Sequence, residues 1–203
     1  GLDYKNFPAE VGVISDAIAT PVKVIRRARI MPTDTVTVFG AGGGLGIHML
    51  MLARWAHAKV IAVETRPEKF QACKEAGADQ VIDGNRNDLT EALVEASNGG
   101  IDVSIDFVSS EQTLESAMNA LGKGGRLVTL GGSGAPFRAN PKIMLEKELE
   151  LIGSRYATKQ EVIEALELVE RGDVWPLVTE IKPMKDAEEL HNNLENSDIV
   201  GRA

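Results

Sequence analysis

The residues from Gly40 to Gly46, in the order Gly-Ala-Gly-Gly-Gly-Leu-Gly, concentrate the chemistry of this chain. Two registers fit them: G-x-x-G-x-x-G on Gly40, Gly43 and Gly46, or A-x-G-x-x-G starting at Ala41. Such a turn binds rather than reacts. Its glycines permit a tight bend, let backbone approach a pyrophosphate with no Cβ in the way, and allow close packing of the next helix on the preceding strand. Exposed amides and the helix dipole then favour an anion. The second signal is Glu64, 18 positions beyond Gly46 at the end of a β-branched run. A carboxylate there accepts both hydroxyls of an adenosine ribose and repels a 2′-phosphate, which favours NAD over NADP. Arg66 pulls the other way, toward an adenine face or a 2′-phosphate. The plain alternatives are a glycine turn that binds nothing and a solvated carboxylate at a strand end.

These residues need a strand before the turn and a helix after it, and the pattern supplies both. Residues 35–39 form a short β-branched run that ends in the glycines, and apolar spacing over 45–57 marks a helix. Further strands are expected at 59–64, 80–83, 103–107, 125–130 and 149–153, with helices over 67–76, 89–97 and 111–121 between them. Gly77 and Gly122 act as helix stops. An earlier helix is expected over 15–29, from Ile18, Val22 and Ile25. Alternation of this kind implies right-handed crossovers and an α/β fold with a doubly wound, six-stranded parallel sheet. After Lys159 the rhythm changes to a helix, a β-branched stretch at 177–181 and a second helix over 186–195, so the tail is expected to belong to a cap or another domain. A methyltransferase using S-adenosylmethionine shares the glycine turn and the acid, but the early helix and the six strands favour a dinucleotide.

Composition narrows the function classes. With 43% hydrophobic and 26% charged residues, a packed core is expected. The net charge is -8, with no basic stripe, which argues against nucleic acid. No apolar stretch approaches the length needed to span a bilayer, and Cys73, the single cysteine, has no internal disulfide partner. A cytoplasmic setting is the expectation. The first residue is Gly1 rather than Met, which reads as a portion of something longer.

Residues 35–46, the run Ala58 to Glu64, and Glu75 to Asp83 resemble the medium-chain dehydrogenase/reductase superfamily, as do 105–108, 124–128 and the closing Ile199-Val200-Gly201-Arg202. The resemblance covers nearly the whole chain and is closest to the zinc-type alcohol dehydrogenases. It implies a Rossmann domain at 23–157, a remnant of a GroES-like catalytic domain at 1–22, and a return to that domain at 158–203. It also implies that Leu45 backs the nicotinamide with Thr20 nearby, and that Lys69 joins Glu64 at the ribose. Gly44 belongs to the same turn. Phe107, Val108 and the turn Gly131-Gly132-Ser133 would line the crevice, and Arg202 would reach the pyrophosphate. Asp16, four residues before Thr20, stands where zinc-type members carry a catalytic ligand. Its plain alternative is a helix N-cap. One carboxylate does not hold zinc, so zinc is expected in a full-length enzyme and not on this chain, which has no complete catalytic set.

Three functions follow. The first is an NAD-linked alcohol dehydrogenase acting on a small alcohol or carbonyl, with this chain as its cofactor-binding portion, inactive alone. The second is a zinc-free NADPH reductase of quinones or enoyl groups. The third is a non-catalytic nucleotide-binding or assembly module. The strand at 149–153 invites edge pairing into a homodimer or tetramer. Plain readings suffice elsewhere: His48 packs or faces solvent rather than meeting the cofactor, His57, His191, Arg54 and Arg138 lie on the surface, Cys73 packs, and Trp175-Pro176 anchors a turn.

Overall fold

The computed structural model describes every residue except Ser133 and Ala135. Six strands form one parallel sheet: β1 (Thr35–Phe39), β2 (Lys59–Glu64), β3 (Gln80–Asp83), β4 (Ile101–Asp106), β5 (Leu121–Thr129) and β6 (Glu150–Gly153). Their spatial order is β3-β2-β1-β4-β5-β6. The chain therefore winds outward from β1 in one direction, then returns to the other side of β1 and winds outward again. Loops leaving β1 and β4 diverge at that reversal and open a crevice beyond the strands' carboxyl ends. Phe39 stands opposite Asp106 there, so Gly40 and Phe107 begin the two crevice walls.

The central strands β1, β2 and β4 bury both faces, which is why they read as nearly continuous apolar runs. Successive side chains alternate between two cores. Val36, Val38, Val60, Ala62 and Ile105 enter one; Phe39, Ile61, Val63, Leu121 and Leu127 enter the other. The first core is covered by α2 (Ala19–Ala28), α3 (Gly46–Trp55) and α8 (Lys159–Glu170), the last through Ala165, Leu168 and Val169. The second is covered by α5 (Leu89–Ser97) and α6 (Glu111–Asn119), through Leu93, Leu114 and Met118. The tail helix α8 thus shares a buried cluster with the sheet.

Local structure departs from the sequence pattern in three places. The single helix expected over 15–29 is two pieces, a widened π-turn at Ile14–Ile18 and α2, with a further short helix, α1 (Pro8–Val13), before them. Pro21 has no amide to donate back to Ala17, and the chain widens in the turns just before it. The stretch 177–181 forms no ladder, only a bridge between Val178 and Arg202, because no neighbouring strand runs beside it. A helix at α7 (Pro141–Lys147) lies between β5 and β6; Asn140 caps it and Pro141 opens it, a start signal that the intervening loop composition obscured.

Arg126 joins the sheet to the end of α2. Its Nη1 donates to the carbonyls of Ala28 at 2.7 Å and Arg29 at 3.1 Å, and its Nη2 to Asp34 Oδ2 at 3.0 Å. Both side chains are mostly buried, so Arg126→Met leaves a carboxylate and two carbonyls without their cation. The expected loss is about 3 kcal/mol in the free energy of urea unfolding. A loss under about 0.5 kcal/mol would show that water replaces the guanidinium.

Candidate functional site

The turn after β1 is built by backbone. Gly40, at φ 70°, and Ala41 both donate to Val63 O, at 3.1 and 3.2 Å, and Gly43 donates to Gly40 O at 3.2 Å. A Cβ on Gly46 would stand 2.1 Å from Gly40 O, so only glycine lets α3 begin this close to β1. Leu45 precedes α3 with no side-chain cap; the Ile47 amide donates to Gly43 O at 3.0 Å, and no side chain takes the amides beside it.

Glu64 is buried and both of its carboxylate oxygens accept hydrogen bonds. Oε2 accepts from the Gly42 amide at 2.7 Å, and Oε1 from the amides of Thr65 at 2.8 Å and Arg66 at 3.1 Å. A Cβ on Gly42 would collide with Glu64 Oε2 and with Lys69 Cδ. Lys69 is buried beside them, but its Nζ donates to Ile199 O at 2.6 Å, at the far end of the chain. Burial pushes the Lys69 ammonium below the usual lysine range, against the pull of the Glu64 carboxylate. Arg66 is tied to the same tail, through Asn196 O and the Asp198 carboxylate.

Arg202 reaches the turn from the tail. Its Nη2 pairs with Asp16 Oδ2, and its buried Nε has no partner. That Nε lies 2.9 Å from where a Cβ of Gly44 would be, so Gly44 makes room for the guanidinium. Asp16 also accepts from Thr20 Oγ1 at 3.1 Å. It does not cap α2: the residue before that helix is Ile18, and no side chain caps it.

Two neighbouring volumes lie along the crevice. One, of about 700 Å³, is lined by Asp16, Thr20, Leu45, Gly131, Gly132 and Tyr156 among others. The other, of about 420 Å³, meets Gly40, Gly43, Gly46, Phe107, Val108 and Arg202. They share Asp16 and Leu45. Most of the expected residues are therefore brought to one crevice. Glu64 and Lys69 lie beneath the glycine turn and line neither volume, and Ser133 falls outside the described residues. Sequence reasoning missed Ser154, whose buried Oγ has no partner and borders the larger volume. No spacing signal marked it, because it follows an edge strand with no motif.

These features fit a dinucleotide: an uncapped helix start, a cradle closed to any Cβ, and an unpartnered buried guanidinium nitrogen. They do not by themselves hold a metal. Among the described residues no three His, Cys, Asp or Glu side chains come together, and Asp16 is engaged by Arg202.

A doubly wound parallel sheet with a glycine-lined crevice at its strand reversal defines the class. Comparison defines the family: residues 44–171 match the model of the zinc-binding dehydrogenases, and the chain belongs to that family. It is 35% identical over 185 residues to the NAD-dependent alcohol dehydrogenase of Saccharolobus solfataricus, covering 90% of this chain and 53% of that protein. It is 30% identical to the acryloyl-coenzyme A reductase of Sulfurisphaera tokodaii, over 98% of this chain and 59% of that protein. The crystal structure of the alcohol dehydrogenase from Aeropyrum pernix superposes with a TM-score of 0.90 at 28% identity, over 98% of this chain and 58% of that one. The chain spans about half the length of the curated relatives it matches. No helix among the described residues is long and apolar enough to cross a membrane.

His48, expected as a packing or surface residue, is fully buried in α3. Burial pushes its pKa from 6.5 down to about 4. The neutral ring is favoured in the folded state, so its contribution is complete above pH 6.5 and is lost as pH falls toward 4. The expected loss is on the order of 3 kcal/mol across that window. Urea unfolding of wild type and His48→Asn at several pH values checks it: the variant should lack that part of the slope. Equal slopes would refute it.

Proposed function

We propose that this chain is the dinucleotide-binding portion of an NAD-linked alcohol dehydrogenase, completed by a second half that supplies the catalytic zinc ligands. The observation that carries this reading is the glycine turn opening an uncapped helix into the crevice at the strand reversal, with Arg202 at its edge. Arg202 and the amides at the start of α3 bind the pyrophosphate, and Gly40, Gly43, Gly44 and Gly46 keep side chains out of its way. Glu64 and Lys69 take the adenosine ribose, Leu45 and Thr20 the nicotinamide side, and Phe107, Val108, Gly131 and Gly132 the crevice wall. Once bound, NAD supplies the hydride acceptor and zinc the Lewis acid for oxidation of a small alcohol. Asp16 is the one metal ligand offered here, and using it requires Arg202 to exchange its carboxylate for phosphate. Residues 23–157 form the cofactor-binding unit, with 1–22 and 158–203 facing the second half. The edge strand β6 pairs with β5 on one side, which leaves its other side for a second copy of the chain.

A second reading, NADPH-linked reduction of an activated alkene, draws on the acryloyl-coenzyme A reductase relative and on the Asp16–Arg202 pair. Calorimetric titration with NADH and NADPH separates the two. NADH should bind at least tenfold more tightly than NADPH, because the engaged Glu64 carboxylate faces a 2′-phosphate with like charge. Glu64→Ala should weaken NADH about tenfold, since hydrogen bonds to a charged group are worth about 1.5–3 kcal/mol. Preference for NADPH would favour the reductase and make Arg66 the next residue to replace.

A further inference from the structure

His48 lines neither crevice volume, yet both of its ring nitrogens are engaged by backbone. Nε2 accepts from the Leu177 amide at 2.8 Å, and Nδ1 lies 2.7 Å from Gly44 O. A backbone amide only donates, so Nε2 carries no proton. The proton sits on Nδ1 and is donated to Gly44 O. The partners are 4 and 129 residues away in the chain, one in the glycine turn and one in the tail.

We propose that His48 is the positioning residue of the anion site: by bridging Gly44 O and the Leu177 amide, it aims the Leu45 N–H and Arg202 at the same point in the crevice. This rests on the dinucleotide reading. The peptide between Gly44 and Leu45 is planar and trans, so its carbonyl and N–H point in opposite directions. The carbonyl is drawn inward by a fully buried ring, and the N–H is thereby turned outward. Leu45 borders both volumes. The second arm runs through Leu177, whose carbonyl accepts from the Arg202 amide at 2.9 Å, while the Thr179 amide donates to Arg202 O at 2.8 Å. These bonds fix the Arg202 backbone beside the ring's partner and set its unpartnered Nε against Gly44. One neutral imidazole thus orients an amide donor and a guanidinium from opposite ends of the chain. An aliphatic side chain of similar size would leave the part-buried Gly44 O and Leu177 amide without these partners, and the peptide free to rotate.

The test uses this 203-residue chain as wild type, His48→Leu and His48→Asn, titrated with ADP-ribose and separately with adenosine in ¹⁵N–¹H correlation spectra. Asparagine places an N–H donor where Nδ1 was, keeping the bond to Gly44 O while giving up Leu177. His48→Leu should bind ADP-ribose at least tenfold more weakly and displace the Leu45 amide resonance. His48→Asn should recover to within about threefold of wild type. Adenosine, which lacks the pyrophosphate, should bind all three alike. Unchanged ADP-ribose affinity in His48→Leu would overturn the inference, as would an equal loss for adenosine, the mark of a loosened fold. A His48→Asn chain no better than His48→Leu would remove the peptide-aiming role. If wild type binds no ADP-ribose, the dinucleotide reading falls and this inference with it.

Discussion

The approach of α3 to β1 at Gly46 is the constraint on which the site depends. A side chain there would meet backbone, which cannot swing aside as a flexible side chain would. Because Gly46 has none, the helix starts directly at the strand's end and its first amides emerge at the sheet's reversal. Gly40 completes the geometry with a positive φ, and Val63 receives the amides of Gly40 and Ala41. Where the glycine turn presents its amides is therefore a consequence of strand order and of the close contact at Gly46.

The tail is fastened to that turn and to the segment after β2 by a backbone bond and by charged side chains. Gly201 donates to Gly42 O, Lys69 to Ile199 O and Arg66 to Asn196 O, and Arg202 pairs with Asp16. Each cation near the turn thus already has an acceptor within the protein. If the crevice takes a dinucleotide as proposed, its pyrophosphate would meet donors already in place, and Arg202 Nε, buried without a partner, would gain an acceptor. The helix α8 packs into the sheet's first core through its own apolar side chains, Ala165, Leu168 and Val169, although its sequence breaks the β-α rhythm.

The alternating elements, the glycine turn, its following helix and the acid at the end of β2 were legible in the sequence. Each depends on interactions within a few tens of residues: period-2 or helical burial, turn chemistry, and glycine's freedom from a Cβ. The breaks in the pattern were less legible. The π-turn before Pro21 and the unladdered stretch at 177–181 depend on what lies beside them, and local propensity carries no record of neighbours.

Side-chain roles were decided by the tertiary structure. Glutamate at 64 announces an acceptor, but only the fold shows that the Gly42, Thr65 and Arg66 amides occupy it. Lysine at 69 announces a donor, but its partner is Ile199, 130 residues away. Asp16 and Arg202 are 186 residues apart, and His48 joins Gly44 to Leu177. A residue type states which bonds a side chain can make. Which partner arrives is set by chain segments that meet only once the sheet has closed, and by the burial that makes leaving a polar group unpartnered costly.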